Sequence, residues 1–299
     1  MPDRPARIAV LGPGAIGASM AAVAQQAGHD VVLCGRTPQG AIVVEPDDGE
    51  AMRLDGPVLT DPAAAPAAPD AVFVAVKAHQ VTGAAAWLRA LTAGPRPPVV
   101  VALQNGVEQR AGLAPHVAAG TRIVPSVVWF PAEVVAPGRV RLRERPRITL
   151  PDEPAAQTVQ ALLDGAPCDL DLAADFTSRA WRKLAINAVS AIMALSGRRA
   201  GIFGRDDVRA LAHALARECL VVGRAEGADL PDAVADELVR QFAAMPPDLG
   251  TSILFDRQAG RTLEWDARNG VVQRLGRRHG IATPVSDVVV PLLAAASDA

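Results

Sequence analysis

The sequence predicts an α/β chain in two parts: an N-terminal domain on a doubly wound parallel sheet, then an all-α C-terminal domain. Three observations carry this. Short β-branched runs alternate with helix-like runs through the first half. Those strand runs are apolar throughout instead of alternating, which suits parallel strands covered on both faces. From about residue 175 the strand runs vanish and apolar residues recur at helical spacing. The boundary is set accordingly, with an N-terminal domain at 1–172 and a C-terminal domain at 173–299.

In chain order, "RIAVLG" (7–12) reads as the first strand and "AIGASMAAVAQQAGH" (15–29) as a helix ending near Gly28. "DVVLCG" (30–35) is the second strand, and the Ala/Pro-rich "LTDPAAAPAAPDA" (59–71) a surface connection. "DAVFVAV" (70–76), "PPVVVAL" (97–103) and "TRIVPSVVWF" (121–130) continue the sheet. "AEVVAPGRVRLRERPRITL" (132–150) reads as antiparallel strands around a Pro-Gly turn. Helical runs follow at 176–196, 206–226, 231–245, 262–280 and 285–297, punctuated by Gly, Pro and charged residues.

Composition narrows the function. Half of the 299 residues are apolar, enough for a sizeable core, and the formal net charge of -2 argues against a nucleic-acid partner. Cys34, Cys168 and Cys219 form no CxxC pair and no disulfide framework, and read as buried small hydrophobes in a reducing compartment. The N-terminus lacks a charged-then-apolar leader, and no stretch offers the ~18 apolar residues of a membrane span, so a soluble cytoplasmic protein is expected. No metal site is expected. The chain has no tyrosine. Short-chain dehydrogenases and aldo-keto reductases use a tyrosine hydroxyl as proton donor, and that chemistry is excluded in its usual form.

Gly12, Gly14 and Gly17 stand in G-x-G-x-x-G spacing. They follow a strand and open a helix, which is the context a Rossmann-type dinucleotide site requires. Gly12 permits the tight turn, Gly14 lets backbone approach a pyrophosphate, and Gly17 allows close helix–strand packing. The helix start at Ala15 and Ile16 adds the positive end of its dipole. The second strand ends in "VVLCGRT", with no acid for ribose hydroxyls but with Arg36, whose guanidinium suits a 2′-phosphate. The expected cofactor is NADPH/NADP+.

Reducing a ketone needs a hydride, a proton and stabilisation of the developing alkoxide. Without tyrosine the donor must be Lys, His or a carboxylic acid. In "RAWRKLAINAVS" (179–190), Lys183 and Asn187 are four apart and share a helix face. On this stretch alone, a snorkelling lysine beside a capped asparagine fits as well. His79, His116 and His279 have no motif partner and read as structural.

The chain resembles the ketopantoate reductase family (2-dehydropantoate 2-reductases). The ordered motifs are "GPGAIG" (12–17), "VAVKAHQ" (74–80), "LQNGV" (103–107), "WRKLAIN" (181–187), "TSILFD" (251–256) and "LEWDARNGVVQRLGRRHGIATP" (263–284). The resemblance implies Lys183 as general acid and Glu264 as catalytic carboxylate. It implies Lys77 beside the cofactor and Asn105 near both nicotinamide and substrate. Asn187 is the implied substrate-contacting asparagine, Ser252 the serine for the substrate carboxylate, and Asp256 a supporting acid. It also implies a 2-oxo acid substrate, a place in pantothenate biosynthesis, and an assembly in which a homodimer stays open. The family's second helical asparagine falls on Ala191 here, beside Ser190, which leaves the exact 2-oxo acid open. Two other readings remain: a β-hydroxyacid dehydrogenase, whose Lys-x-x-x-Asn helix "KLAIN" also fits, and a non-catalytic NADPH-binding sensor.

Overall fold

β1 (Arg7–Leu11), α1 (Ala15–Gln26), β2 (Asp30–Cys34), β3 (Ile42–Pro46), β4 (Met52–Leu54), β5 (Ala71–Val74), α2 (Ala85–Thr92) and β6 (Val99–Ala102) come first along the chain. α3 (Gln109–Leu113), β7 (Arg122–Pro125), β8 (Val127–Val128), β9 (Ala132–Ala136), β10 (Arg139–Leu142), β11 (Arg147–Pro151), α4 (Pro154–Leu162) and β12 (Asp169–Ala173) follow. This computed structural model describes residues 5–298, so residues 1–4 and 299 of the two sequence ranges lie outside the described residues. By contacts the chain divides into two units. One runs to Gln104 and resumes over Glu108–Phe176; the other takes Asn105–Val107 and everything from Thr177.

In the first unit, five parallel strands run in the order β2-β1-β5-β6-β7. The continuous apolar runs are explained by what covers each face. Ile8, Val10, Phe73, Val99 and Val101 face one core with Met20 and Val23 of α1. Their neighbours Ala9, Leu11, Val72, Val74 and Val100 face a second core with Trp87, Leu88 and Leu91 of α2. The strand order reverses between β1 and β5, and open α/β sheets bind ligands at the carboxyl ends beside such a reversal.

One expectation needs correction. "TRIVPSVVWF" is two strands in different sheets: β7 ends the main sheet, while β8 pairs antiparallel with β11. Pro125 has no N–H to give a ladder, and the Ser126 N–H goes instead to Gln109 Oε1 at 2.8 Å. The 132–150 run holds the expected antiparallel pair around Pro137-Gly138. β9 and β10 pair antiparallel, but β10 also pairs parallel with β3, and β11 leaves for the sheet β12-β11-β8. By contacts the first unit closes at Phe176, after Asp169–Ala173, a strand parallel to β11. Its alternating "DLDLA" exposes the two aspartates, unlike the runs that mark the main sheet.

The second unit holds α5 (Phe176–Ser196) from its second residue on, α6 (Asp206–Ala225), α7 (Ala233–Ala243), α8 (Ser252–Gln258), α9 (Val271–His279) and α10 (Pro284–Ser297). The apolar stripes converge on a core that includes Trp181, Leu184, Val189, Phe203, Leu220 and Leu254. α10 begins on a buried carboxylate: Glu218 of α6 accepts the N–H groups of Val285 (2.7 Å) and Ser286 (2.8 Å) and the Ser286 hydroxyl (2.6 Å). That satisfies helix-terminal donors which have no carbonyl of their own. The expected helix at 262–280 is α9 preceded by a π-helical turn, Asp266–Gly270, which widens the helix by a residue. Among the described residues no helix is long and apolar enough to cross a membrane.

The three thiols are unpaired. Burial pushes Cys34 and Cys168 up to about 12, with the Asp169 carboxylate adding to the shift at Cys168, and burial raises Cys219 as well. At pH 8 a thiol of that pKa is roughly 10⁻⁴ thiolate, and the thiolate is the nucleophile. A thiol-specific disulfide reagent at pH 8 is therefore expected to label none of them until the protein is unfolded. Rapid labelling of the native protein contradicts this.

Candidate active site

The glycine loop follows β1. Gly12 has φ +92, and a Cβ there would lie 2.8 Å from the Val76 nitrogen, so neither conformation nor space admits a side chain. Its N–H donates to the Cys34 carbonyl at 2.8 Å. A Cβ on Gly17 would lie 2.2 Å from the Gly12 carbonyl oxygen, so loop and helix touch there. Around Gly14 the situation is opposite: a Cβ would meet nothing within 4 Å. That open wall adjoins the first turn of α1, where Ala15 and Ile16 present N–H groups without intrahelical acceptors and no acidic side chain intervenes. The cradle fits a pyrophosphate.

The neighbouring strand ends complete this edge. Arg36 is exposed two residues beyond β2, and the strand's last residues, Leu33 and Cys34, carry no carboxylate. Lys77 follows β5, directly after the Val76 that covers Gly12, and its N–H donates to Gln80 Oε1 at 3.1 Å. Gln104, after β6, ties that loop down by donating to the Val76 carbonyl at 2.7 Å. Buried Gln109 braces the same corner through the Gln104 and Ser126 carbonyls. The sequence reading passed over both glutamines.

In the second unit, four side chains form a directed hydrogen-bond chain. Arg268 Nη2 donates to Asn187 Oδ1 at 3.1 Å. Asn187 Nδ2 donates to Asn105 Oδ1 at 3.3 Å, and Asn105 Nδ2 donates to Glu264 Oε2 at 3.0 Å. A guanidinium can only donate and a carboxylate can only accept, so the two ends dictate how both carboxamides are turned. Asn105 reaches this chain because Asn105–Val107 packs as part of the helical unit. Gly106 has φ +99, and a Cβ there would lie 3.0 Å from the Ala267 carbonyl oxygen. Glu264 immediately precedes the helical segment, in keeping with the expected helix opening.

Lys183 lies half-buried on α5, one turn before the buried Asn187, so the two share a face. Ser252 opens α8, and its hydroxyl oxygen accepts from Arg268 Nη1 at 3.4 Å. Asp256 is buried and accepts from Arg261 Nε at 2.8 Å. Ala191 packs into the helical core, and its neighbour Ser190 meets the polar cluster by accepting from Arg268 Nη2 at 2.8 Å. Arg268 itself was missed. Its signal is its spacing: it stands three and four residues before Val271 and Val272 and seven before Leu275, all buried. Burial pulls its guanidinium below the ordinary range, while the Glu264 and Asp256 carboxylates act against that pull. His279 lies apart from this cluster and bonds Glu226 on the surface. Among the described residues no group of three metal-ligating side chains occurs.

Residues 8–154 match the family model described as ketopantoate reductase PanE/ApbA, and residues 175–297 match its C-terminal model. The 2-dehydropantoate 2-reductase of Mycobacterium tuberculosis (strain H37Rv) is 48% identical over 291 residues, 97% of this chain and 98% of that protein. Among solved structures, a PanE/ApbA family ketopantoate reductase from Ralstonia eutropha JMP134 is similar at a TM-score of 0.86 and 27% identity, covering 98% of each chain. A dimeric ketopantoate reductase from Staphylococcus aureus shares the fold, with a TM-score of 0.84 at 23% identity over 98% of this chain and 99% of that one.

Proposed function

The chain belongs to the ketopantoate reductase family, and from that premise we propose that it reduces the C2 carbonyl of 2-dehydropantoate, or a close 2-oxo acid, with NADPH. The observation that carries this is the directed chain from Arg268 through Asn187 and Asn105 to Glu264, with Lys183 one turn from Asn187 on the same helix.

NADPH, held by the glycine loop and Arg36, would supply a hydride for C2. Lys183 Nζ gives its proton to the C2 oxygen as negative charge develops there, leaving a neutral amine that takes a proton back from water. Asn187 and Asn105, held in fixed orientation, position the substrate's oxygen functions, and Ser252 meets its carboxylate. Glu264 keeps both amides in register, Asp256 lends negative charge close by, and Lys77 lies on the cofactor side. Gly12, Gly14, Gly17, Ala15 and Ile16 receive the pyrophosphate. A cytoplasmic setting, a role in supplying pantoate for pantothenate, and assembly as a homodimer complete the reading.

The test is direct: purified protein, NADPH and 2-dehydropantoate, followed by loss of nicotinamide absorbance. Substrate-dependent oxidation supports the reading, and none with any branched 2-oxo acid overturns it.

Arg36 sets the cofactor choice in this account. A charge-assisted hydrogen bond contributes about 1.5–3 kcal/mol, so NADPH should bind at least about tenfold more tightly than NADH. Dissociation constants for both cofactors check this. R36A is expected to erase the difference; a variant that keeps it places the 2′-phosphate elsewhere.

A further inference from the structure

Arg268 is only 3% exposed. Its three bonded acceptors, Asn187 Oδ1, Ser190 Oγ and Ser252 Oγ, are all neutral. Its Nε is buried with no partner, so this is not a cation enclosed by a saturated structural network. The nearby carboxylates have other partners as well: Asp256 accepts from Arg261, and Glu264 from Asn105.

Because the guanidinium only donates, every oxygen it meets must accept, and that partner's own hydrogens turn elsewhere. The Ser190 hydroxyl donates to the Asn187 carbonyl at 2.7 Å. The Asn187 amide donates to Asn105. Ser252 differs. The residue is exposed, its oxygen is occupied by Arg268, and among the described residues no acceptor takes its hydrogen.

We propose that Arg268 is the anion-selecting positioning residue of this site: its buried cation, acting through Ser252, turns that hydroxyl outward to donate to the carboxylate of a 2-oxo acid. This rests on the reductase reading above. A charged donor behind a hydroxyl polarises it, so the outward O–H becomes a stronger donor to an anion than a lone serine supplies. The positive charge also favours an anion over a neutral ligand of similar shape. The residue therefore decides acid against non-acid, whereas the proton transfer stays with Lys183.

The probes are 2-dehydropantoate and its neutral lactone, which lacks the carboxylate. The parent is expected to prefer the acid by at least about tenfold in kcat/KM. R268M is expected to lose most of that preference, chiefly through a raised KM for the acid, so that its kcat/KM for the acid falls at least about tenfold further than its kcat/KM for the lactone. R268K should restore part of it. S252A should lower the preference too, and the S252A/R268M double variant should fall no further than R268M, since one residue acts through the other.

Equal parental kcat/KM for acid and lactone overturns the proposal. So does an R268M variant that loses both substrates in proportion, which marks a purely structural arginine, or additive effects of S252A and R268M. If R268M does not fold, R268K carries the test, and an unchanged acid-to-lactone ratio in it overturns the proposal. A parent that reduces no 2-oxo acid overturns the functional reading itself and this proposal with it. A parent that reduces them while R268M keeps its KM for the acid overturns this proposal alone.

Discussion

Replacing Lys183 with alanine is expected to lower turnover of 2-dehydropantoate by about 10²–10⁴-fold, the usual contribution of a positioned acid. NADPH affinity should stay close to that of the parent. The lysine stands on α5 of the helical unit, whereas the glycine loop lies at the sheet edge of the other unit. The loss should therefore appear in kcat and not in cofactor titration. Lys183→Arg keeps the charge but holds its proton too tightly to give it up near neutral pH, so it should rescue little. Near-parental turnover in Lys183→Ala leaves the lysine as a snorkelling side chain and removes the proposed donor.

Replacing Glu264 with alanine removes the only group in the chain of amides that can accept without donating. Asn105 Nδ2 then loses its acceptor, and neither carboxamide is held in one orientation from that end. Asn105 is half-buried, so its orphaned amide costs less than the about 1–3 kcal/mol of a fully buried donor, and burial of Arg268 loses a nearby negative charge that offsets it. We expect a loss of turnover comparable to that of Lys183→Ala, and a lower midpoint in chemical denaturation. Glu264→Gln keeps a carbonyl for Asn105 and should retain more stability than activity. The Lys183→Ala/Glu264→Ala double variant should be less damaged than the product of the singles, as for residues that act as a unit. Strictly multiplicative losses mean that the two work independently.

The parts of this molecule that follow local rules were legible in the sequence. α5 runs over Phe176–Ser196, the span its apolar spacing predicts, because Trp181, Leu184 and Val189 recur along its core-facing stripe. The glycine loop was legible because sterics restrict it: Gly12 and Gly17 stand where a Cβ would strike backbone. The β8–β11–β12 sheet was not legible. β8 is only two residues long and β12 alternates polar with apolar residues, so neither shows the continuous apolar run that marks the main-sheet strands. In the site, Lys183 and Asn187 could be paired by helical spacing alone. Asn105 and Glu264 needed the family resemblance, since their hydrogen bond spans 159 residues. Arg268 escaped for a different reason. An arginine in a charged helical stretch reads as solvated, and the π-helical turn Asp266–Gly270 shifts the register by which its buried face would be counted.

The central claim is that this chain transfers a hydride from a reduced nicotinamide to C2 of a 2-oxo acid. The most direct measurement uses NADPH deuterated on each face of nicotinamide C4 in turn, with 2-dehydropantoate and the purified protein, and analyses the product by mass spectrometry and NMR. The account predicts pantoate carrying one deuterium at C2 from one of the two labelled cofactors and none from the other, formed about 10²–10⁴-fold more slowly with Lys183→Ala. Oxidation of NADPH without deuterated pantoate, or labelled pantoate formed equally fast without Lys183, contradicts it.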